Sequence, residues 1–159
     1  MGYEFIRMTQ NQAEDIAGNW HYEGVFSFYD IEADKEDLAD FLDAEKRGDL
    51  FFSVLEAGQL AGFFSFDECG NAVDIGLGMR PDLTGRGRGQ AFIAAGMRFA
   101  EQTFNPEQLT LSVATFNQRA IRLYKKMGFR EVAAFQQETN GGHFEFLKMV
   151  YACERGGER

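Results

Sequence analysis

The sequence has little cysteine, histidine, proline or tryptophan, with two, two, two and one of each among 159 residues. Two separate cysteines, Cys69 and Cys153, cannot build a disulfide framework, and with two isolated histidines they lack the spacing of a zinc site. Reduced thiols are typical of a reducing compartment. We therefore expect a cytoplasmic protein that binds no metal.

Long apolar runs and an excess of basic residues are also missing. No segment reaches the length of a membrane span and the N-terminus lacks a signal-peptide pattern, so we expect no membrane association. Lys and Arg number 16 against 25 Asp and Glu, a net charge of −9. Nonspecific nucleic-acid binding needs clustered Lys and Arg. We expect no nucleic-acid partner, and the acidic chain suits a cationic partner such as an amine.

Apolar residues, in contrast, are plentiful. They make up 45% of the chain and include 17 phenylalanines. The length is that of one ordinary domain with a sizeable core. We predict one domain over residues 1–153 and a loose, charged tail over residues 154–159.

Hydrophobic periodicity and turn residues predict strands over residues 3–8, 50–55, 60–66, 72–79, 109–114, 129–135 and 143–151. Turns are expected at residues 56–59, 67–71 and 139–142. Helices are predicted over residues 10–19, 34–47, 90–104 and 117–127, with Thr9, Asp34 and Asn117 as N-caps. The order β-α-α-β-β-β-α-β-α-β-β predicts a mixed α/β (α+β) fold with helices on both faces of a sheet.

The most informative stretch is residues 72–92, where a strand leads into a glycine-rich loop and then a helix. Glycine lets the backbone approach a ligand, and the N–H groups at a helix start have no partner within the helix. The loop is not a P-loop, because Gln90 and Ala91 stand where that motif has Lys and Ser or Thr. It is not a dinucleotide fingerprint either, because the third glycine of that motif is replaced by Gln90 or, counted from Gly87, by Phe92. The loop thus predicts a site for a phosphate-bearing cofactor, with a ligand-free turn as the alternative.

Two motifs in this chain resemble those of the GNAT superfamily of acyl-CoA-dependent N-acetyltransferases. The first is Arg/Gln-x-x-Gly-x-Gly/Ala, set three residues after a proline. Here Pro81 precedes residues 84–89, and Thr84 stands where Arg or Gln is usual. The second is Asn-x-x-Ala-x-x-Leu-Tyr-x-x-x-Gly-Phe. It is matched in full by Asn117, Ala120, Leu123, Tyr124, Gly128 and Phe129.

The resemblance covers residues 3–151 and implies a largely antiparallel sheet of about seven strands that binds acetyl-CoA. It implies that the pyrophosphate lies against loop amides and that the pantetheine arm pairs with the end of strand 72–79. Gly76 and Gly78 would suit a bulge there. The strand beginning at Leu109 would diverge from it. The implied cofactor-binding residues are Leu77, Met79, Thr84, Gly85, Arg86, Gly87, Arg88, Gly89, Gln90 and Asn117.

The implied reaction is direct transfer of an acetyl group to a primary amine in a ternary complex. The resemblance places Tyr124 beside the cofactor sulfur as general acid, and the Met79 N–H at the thioester carbonyl. Asp74 is the candidate base through water, or else an acid on the solvent face of its strand. His21 and His143 are isolated in sequence and are set aside.

The acceptor site is expected within residues 20–49. An aromatic wall of Trp20, Tyr22, Phe26, Phe28 and Tyr29 precedes a run of acidic residues, and together they suit a cationic amine. A solvated acidic helix is the other interpretation. A small polyamine or aminoglycoside, an amino acid and a protein amine all remain open, as do a monomer and a homodimer. An acyl-CoA-binding sensor without turnover is the alternative function.

Overall fold

The computed structural model describes residues 2–153, so the predicted tail lies outside the described residues. A seven-stranded sheet has the order β1-β2-β3-β4-β5-β7-β6. The strands are β1 (Tyr3–Arg7), β2 (Phe51–Glu56), β3 (Gln59–Cys69), β4 (Ala72–Met79), β5 (Gln108–Ala114), β6 (Arg130–Thr139) and β7 (Gly142–Ala152). The helices are α1 (Gln10–Asn19), α2 (Lys35–Leu42), α3 (Ala44–Arg47), α4 (Gly89–Phe104) and α5 (Gln118–Lys126), with 3₁₀ turns at Gly24–Tyr29, Ile31–Ala33 and Pro81–Leu83. The predicted fold class is confirmed.

Strand pairing is mixed. β1 pairs with β2 and β5 pairs with β7 in antiparallel fashion. β4 and β5 run parallel, and their register joins Ala72 to Gln108, Val73 to Leu109 and Asp74 to Thr110. Both strands continue beyond this short ladder, β4 to Met79 and β5 to Ala114.

The predicted helix over residues 34–47 is wrong in one respect, because it is two helices. Asp43 has an extended backbone (φ −93°, ψ 112°), and its side chain accepts hydrogen bonds from the N–H groups of Glu45 and Lys46. A carboxylate that bonds to nearby backbone N–H groups competes with the helix and begins a new one. The three predicted caps, Thr9, Asp34 and Asn117, are confirmed, and Thr9 forms a capping box with Gln12.

Three predicted turns are shorter in the structure. The β2–β3 and β6–β7 hairpins close over Ala57-Gly58 and Asn140-Gly141, whose φ angles are all positive. Such two-residue turns match the twist of the strands and let the pairing run close to the loop. β3 runs to Cys69 rather than ending at Phe66. Its last residues are polar or exposed, so apolar periodicity did not reveal them.

The described chain divides into two compact units. The first comprises residues 2–64, 77–84 and 138–142. Its core joins residues of α1 and α2 to Phe63 of β3, and the buried members are Ala13, Ile16, Ala17, Trp20, Phe41 and Phe63. Among the residues described, no helix is long and apolar enough to cross a membrane.

The second unit comprises residues 65–76, 85–137 and 143–153. Here α4 buries Phe92, Ile93, Met97 and Ala100, as its apolar periodicity predicts. The Phe66 ring of β3 lies 5.5 Å from that of Phe99 of α4, between ring centroids. This packing fixes the helix that follows the glycine loop.

Candidate active site

The glycines of β4 make room for neighbouring side chains. A Cβ added to Gly78 would lie 2.7 Å from Cζ of Phe63, and one added to Gly76 would lie 2.5 Å from Oγ of Ser65. Neither glycine has a φ in the positive region. Close packing therefore requires glycine at both positions, and the suggested bulge stays a prediction.

Tyr22 holds the end of β4. Its hydroxyl donates to the Met79 carbonyl at 2.7 Å. Burial, and then the charge of Asp30, raise the pKa of this hydroxyl well above its ordinary value, which keeps the donor protonated. The Tyr22 N–H donates to Oδ1 of Asp30 at 2.8 Å, and Nδ1 of His21 lies 3.0 Å from Oδ2 of Asp30. His21 thus has a positioning contact that its isolation in sequence did not indicate.

Thr84 closes the turn after β4. Its hydroxyl donates to the Pro81 carbonyl at 2.7 Å, and its N–H donates to the same carbonyl at 3.2 Å. Both donors of Thr84 are therefore used within the turn.

The backbone of the loop before α4 alternates in handedness. Gly85 and Gly87 have φ of +73° and +74°, and Arg88 follows in the right-handed helical region. When successive residues alternate between left-handed and right-handed backbone conformations, their N–H groups point toward the same side. Arg88 occupies the N-cap position of α4, and an arginine side chain has no acceptor with which to bond the free N–H groups. The first turn of α4 carries no carboxylate.

Helix α5 lies against this loop. A Cβ added to Gly89 would lie 3.0 Å from Cδ2 of Leu123, and one added to Gly85 would lie 3.4 Å from Nη1 of Arg119. Sequence reasoning did not place Arg119 beside the loop, because the two segments are far apart in the sequence.

The predicted residues of the second motif lie on or beside α5. Oδ1 of Asn117 accepts the Ala120 N–H at 3.2 Å and caps the helix. Tyr124 is only 8% exposed, and its ring centroid lies 6.0 Å from that of Phe129. The contacts of Leu123 and Arg119 thus bring the loop and α5 together, and Tyr124 follows Leu123 on the helix.

Asp74 lies in the half-buried part of β4 and faces β5. Oδ1 of Asp74 accepts the hydroxyl of Thr110 at 2.6 Å, and these residues are register partners in the parallel ladder. The bond fixes the orientation of the carboxylate.

The predicted acceptor residues have different environments. Trp20 is 4% exposed and its ring centroid lies 6.2 Å from that of Phe63, so the indole contributes to the core. Phe26, Phe28 and Tyr29 are half-buried on one 3₁₀ turn. Three aromatic side chains therefore keep exposed surface.

Asp34 joins this region to the β6–β7 hairpin. Its Oδ1 accepts the N–H groups of Glu36 and Asp37, each at 3.0 Å. Its Oδ2 accepts the Asn140 N–H at 2.8 Å and the Thr139 hydroxyl at 3.3 Å. The N–H of Asn140, and then that of Asp37, lower the pKa of this carboxyl. Cap chemistry predicted the first pair of bonds, whereas nothing local predicted the second pair.

A mixed sheet of this order, with a glycine loop leading into α4, agrees with the fold that the two sequence motifs imply. Residues 13–129 match the model of the acetyltransferase (GNAT) family. The chain therefore belongs to the GNAT family of acetyltransferases.

Individual relatives agree with this assignment. An N-alpha-acetyltransferase of Sulfurisphaera tokodaii is 36% identical over 61 residues, which cover 38% of this chain and only 36% of that relative. A spermidine N-acetyltransferase from Vibrio cholerae in complex with CoA and spermine has a TM-score of 0.74, with 17% identity over 96% of each chain. A GNAT-family acetyltransferase from Bacillus anthracis has a TM-score of 0.72, with 14% identity over 96% of this chain and 95% of that one. At these identities the structural similarity establishes the fold alone.

Proposed function

We propose that the chain moves an acetyl group from acetyl-CoA to a primary amine by direct transfer in a ternary complex. The start of α4 carries the proposal. Its N–H groups follow two glycines of positive φ, and the N-cap Arg88 has no acceptor with which to bond them. The cofactor pyrophosphate would satisfy these donors, as anions do at open helix starts. The binding residues are Gly85, Arg86, Gly87, Arg88, Gly89 and Gln90, with Thr84 contributing the shape of the turn.

The end of β4 positions the acyl group. Leu77 and Met79 present backbone groups to the pantetheine arm, and the Met79 N–H polarises the thioester carbonyl. The Tyr22 hydroxyl fixes the Met79 carbonyl at 2.7 Å and so limits movement of this strand end. Fixed donors stabilise the developing oxyanion better than mobile ones.

Tyr124 is the proposed general acid. A phenol with an ordinary pKa of about 10 keeps its proton at neutral pH and can donate it to a departing thiolate. Its ring is almost fully buried against Phe129, which holds the hydroxyl in one direction. Asn117 caps the same helix and maintains its start.

Asp74 is the proposed base, acting through water. Its Oδ1 is held by the Thr110 hydroxyl at 2.6 Å. The fixed carboxylate then presents Oδ2 to a water that takes the proton from the ammonium group. Loss of this proton gives the free amine that attacks the thioester carbon.

The acceptor we propose is a cationic amine. Burial of Asp37, and then the charges of Asp34, Asp40 and Glu36, raise the pKa of the Asp37 carboxyl, which shows how closely these acids are gathered. Phe26, Phe28 and Tyr29 add aromatic faces that attract a cation. The spermine bound to the Vibrio cholerae enzyme is such an amine.

An amine-panel acetylation screen with thiol detection tests the reaction, and calorimetry with acetyl-CoA tests the donor. We expect thiol release with at least one polyamine or amino-terminal substrate. Replacing Tyr124 by Phe should lower kcat by about 100-fold, whereas Tyr3→Phe should not. Acetyl-CoA binding without transfer to any amine would favour a sensor, and absence of binding would exclude both functions.

A further inference from the structure

We propose that a second copy of this chain pairs with the free edge of β6, so that the sheets of two molecules continue through an antiparallel pair of β6 strands. β6 is the last strand in the sheet order, next to β7. All of its residues except Phe135 and Thr139 are exposed. Proteins protect such edges with short strands, prolines or lysines, because the unpaired N–H and C=O groups bind other strands. β6 has 10 residues without proline or lysine, whereas β1 at the other edge has only 5 residues.

The turn Asn140-Gly141 determines which groups of β6 face the free edge. Both residues have positive φ and form a two-residue hairpin turn, so the residues on either side of it exchange backbone hydrogen bonds. This bonding alternates along the strand, so the even-numbered residues of 130–138 direct their N–H and C=O groups away from β7. The stacked rings of Phe135 and Phe146, whose centroids are 5.8 Å apart, agree with this register.

The two charged residues of this outward set lie at its ends. Arg130 and Glu138 are both exposed, and within residues 2–153 the side chain of neither makes an ion pair or a hydrogen bond. Glu131 is the third charged residue of β6, and it belongs to the alternate set and pairs with Lys125 at 2.6 Å. The charges of β6 that have no partner in this part of the chain are therefore one of each sign, both at the free edge.

A two-fold antiparallel pairing centred on Ala134 would satisfy these groups. It places Arg130 of each copy opposite Glu138 of the other, and Val132 opposite Gln136. Opposite charges directly across two strands stabilise the pair, and like charges destabilise it. All the paired residues belong to the outward set, so their N–H and C=O groups meet in register. The edge is therefore complementary to itself, as a two-fold interface between identical chains requires.

Sedimentation equilibrium of the full chain at increasing concentration tests the pairing. We expect a reversible dimer. Arg130→Glu or Glu138→Arg alone puts like charges opposite each other at both ends of the strand pair, so each should raise the dimer dissociation constant about 10- to 100-fold. The two substitutions in one chain restore opposite charges and should recover the original constant. An equimolar mixture of the two single variants should form a heterodimer for the same reason.

Arg98→Glu is the matched control, because it makes the same change in net charge as Arg130→Glu at an exposed position of α4. It should leave the dimer dissociation constant unchanged. A chain that stays monomeric at every concentration would overturn the proposal, and so would a dimer that charge reversal in β6 does not affect. Weakening of the dimer without recovery in the combined variant and in the mixture would also overturn it, because the charges would then not face each other.

Discussion

The starts of α2 and α4 use the same backbone chemistry in opposite ways. At α2, one carboxylate oxygen of Asp34 accepts the N–H groups of Glu36 and Asp37. At α4, the N-cap position holds Arg88, whose side chain can only donate hydrogen bonds. The protein thus neutralises the positive end of one helix dipole with a carboxylate, and it places an arginine and no carboxylate at the positive end of the other.

The remaining α-helices within residues 2–153 follow the pattern of α2. Thr9, Asp43 and Asn117 each accept backbone N–H groups at the start of their helices. A side-chain cap contributes about 0.5–2 kcal/mol to stability. The start of α4 lacks this stabilising hydrogen bond and has glycine and arginine residues there instead. Under the proposed function, the cofactor pyrophosphate would take the place of the missing side-chain cap.

Giving the start of α4 a carboxylate cap like that of α2 should have the largest effect on acetyl-CoA binding. Arg88→Asp would place a carboxylate where it can accept the free N–H groups and repel the cofactor phosphates. The loss of charge-assisted hydrogen bonds, each worth about 1.5–3 kcal/mol, together with repulsion should weaken acetyl-CoA binding roughly 100-fold or more. Calorimetry measures the dissociation constant, and thermal unfolding shows whether the new cap preserves the fold.

Arg98→Asp is the control for Arg88→Asp. Arg98 is exposed in the middle of the same helix, so its replacement makes the same change in net charge away from the loop. It should alter affinity less than about threefold, since exposed charges are screened within roughly 8–10 Å. Equal losses in the two variants would mean that net charge, rather than the helix start, controls binding.

A smaller effect should follow from Gly87→Ala, which tests backbone conformation alone. Gly87 has φ +74° with no atom within 4 Å of an added Cβ, and Gly24 shares both properties at φ +61°. Gly24→Ala is therefore the control. Each of the two substitutions should lower the free energy of unfolding by about 1–2 kcal/mol, because left-handed backbone is unfavourable for L-residues. Only Gly87→Ala should also weaken acetyl-CoA binding, by roughly tenfold, because the loop amides would turn away. Retained affinity in Gly87→Ala would show that the positive φ does not orient the donors.

The two helix starts also show what a sequence can predict. Asp34 and Asn117 were identifiable as caps because capping depends on a side chain and the next three residues. The loop was identifiable because glycine spacing is local, and the family motifs added Tyr124 through a pattern of fixed separation. Features that depend only on residues close together in the chain can therefore be predicted from the sequence.

The contacts that join distant segments were not predictable. Tyr22 meets Met79 across 57 residues, and Asp34 meets Asn140 across 106. Neither pair has a spacing that periodicity can detect, because folding topology alone brings them together. The break at Asp43 was missed for a different reason, since an acid within a helical pattern fits either a cap or an exposed helix position.

Removing the Asp34 carboxylate should affect hydrogen exchange only at the start of α2 and at the β6–β7 turn. Asp34→Ala would leave the N–H groups of Asp37 and Asn140 without their acceptor, so their hydrogen exchange should speed by about tenfold. Asp43→Ala is the matched control, because Asp43 caps α3 through Glu45 and Lys46 in the same way. It should speed exchange at α3 only. Unchanged exchange at Asn140 in Asp34→Ala would show that the hairpin turn is held by other contacts.

The smallest expected effect is the pH dependence of the hydrogen bond between Asp34 and the Asn140 N–H. Hydrogen bonds lower the pKa of Asp34, so its stabilisation is complete at neutral pH and is lost as pH falls below about 4, its ordinary range. Asp37 has the opposite sign, because burial and neighbouring acids raise its pKa and its protonation relieves repulsion at higher pH. Hydrogen exchange of the Asn140 amide, corrected for its intrinsic rate, should therefore stay slow down to about pH 4 and speed up below it. Asp34→Asn, which cannot titrate, should abolish this dependence; the same acid transition in that variant would assign it to a different carboxyl.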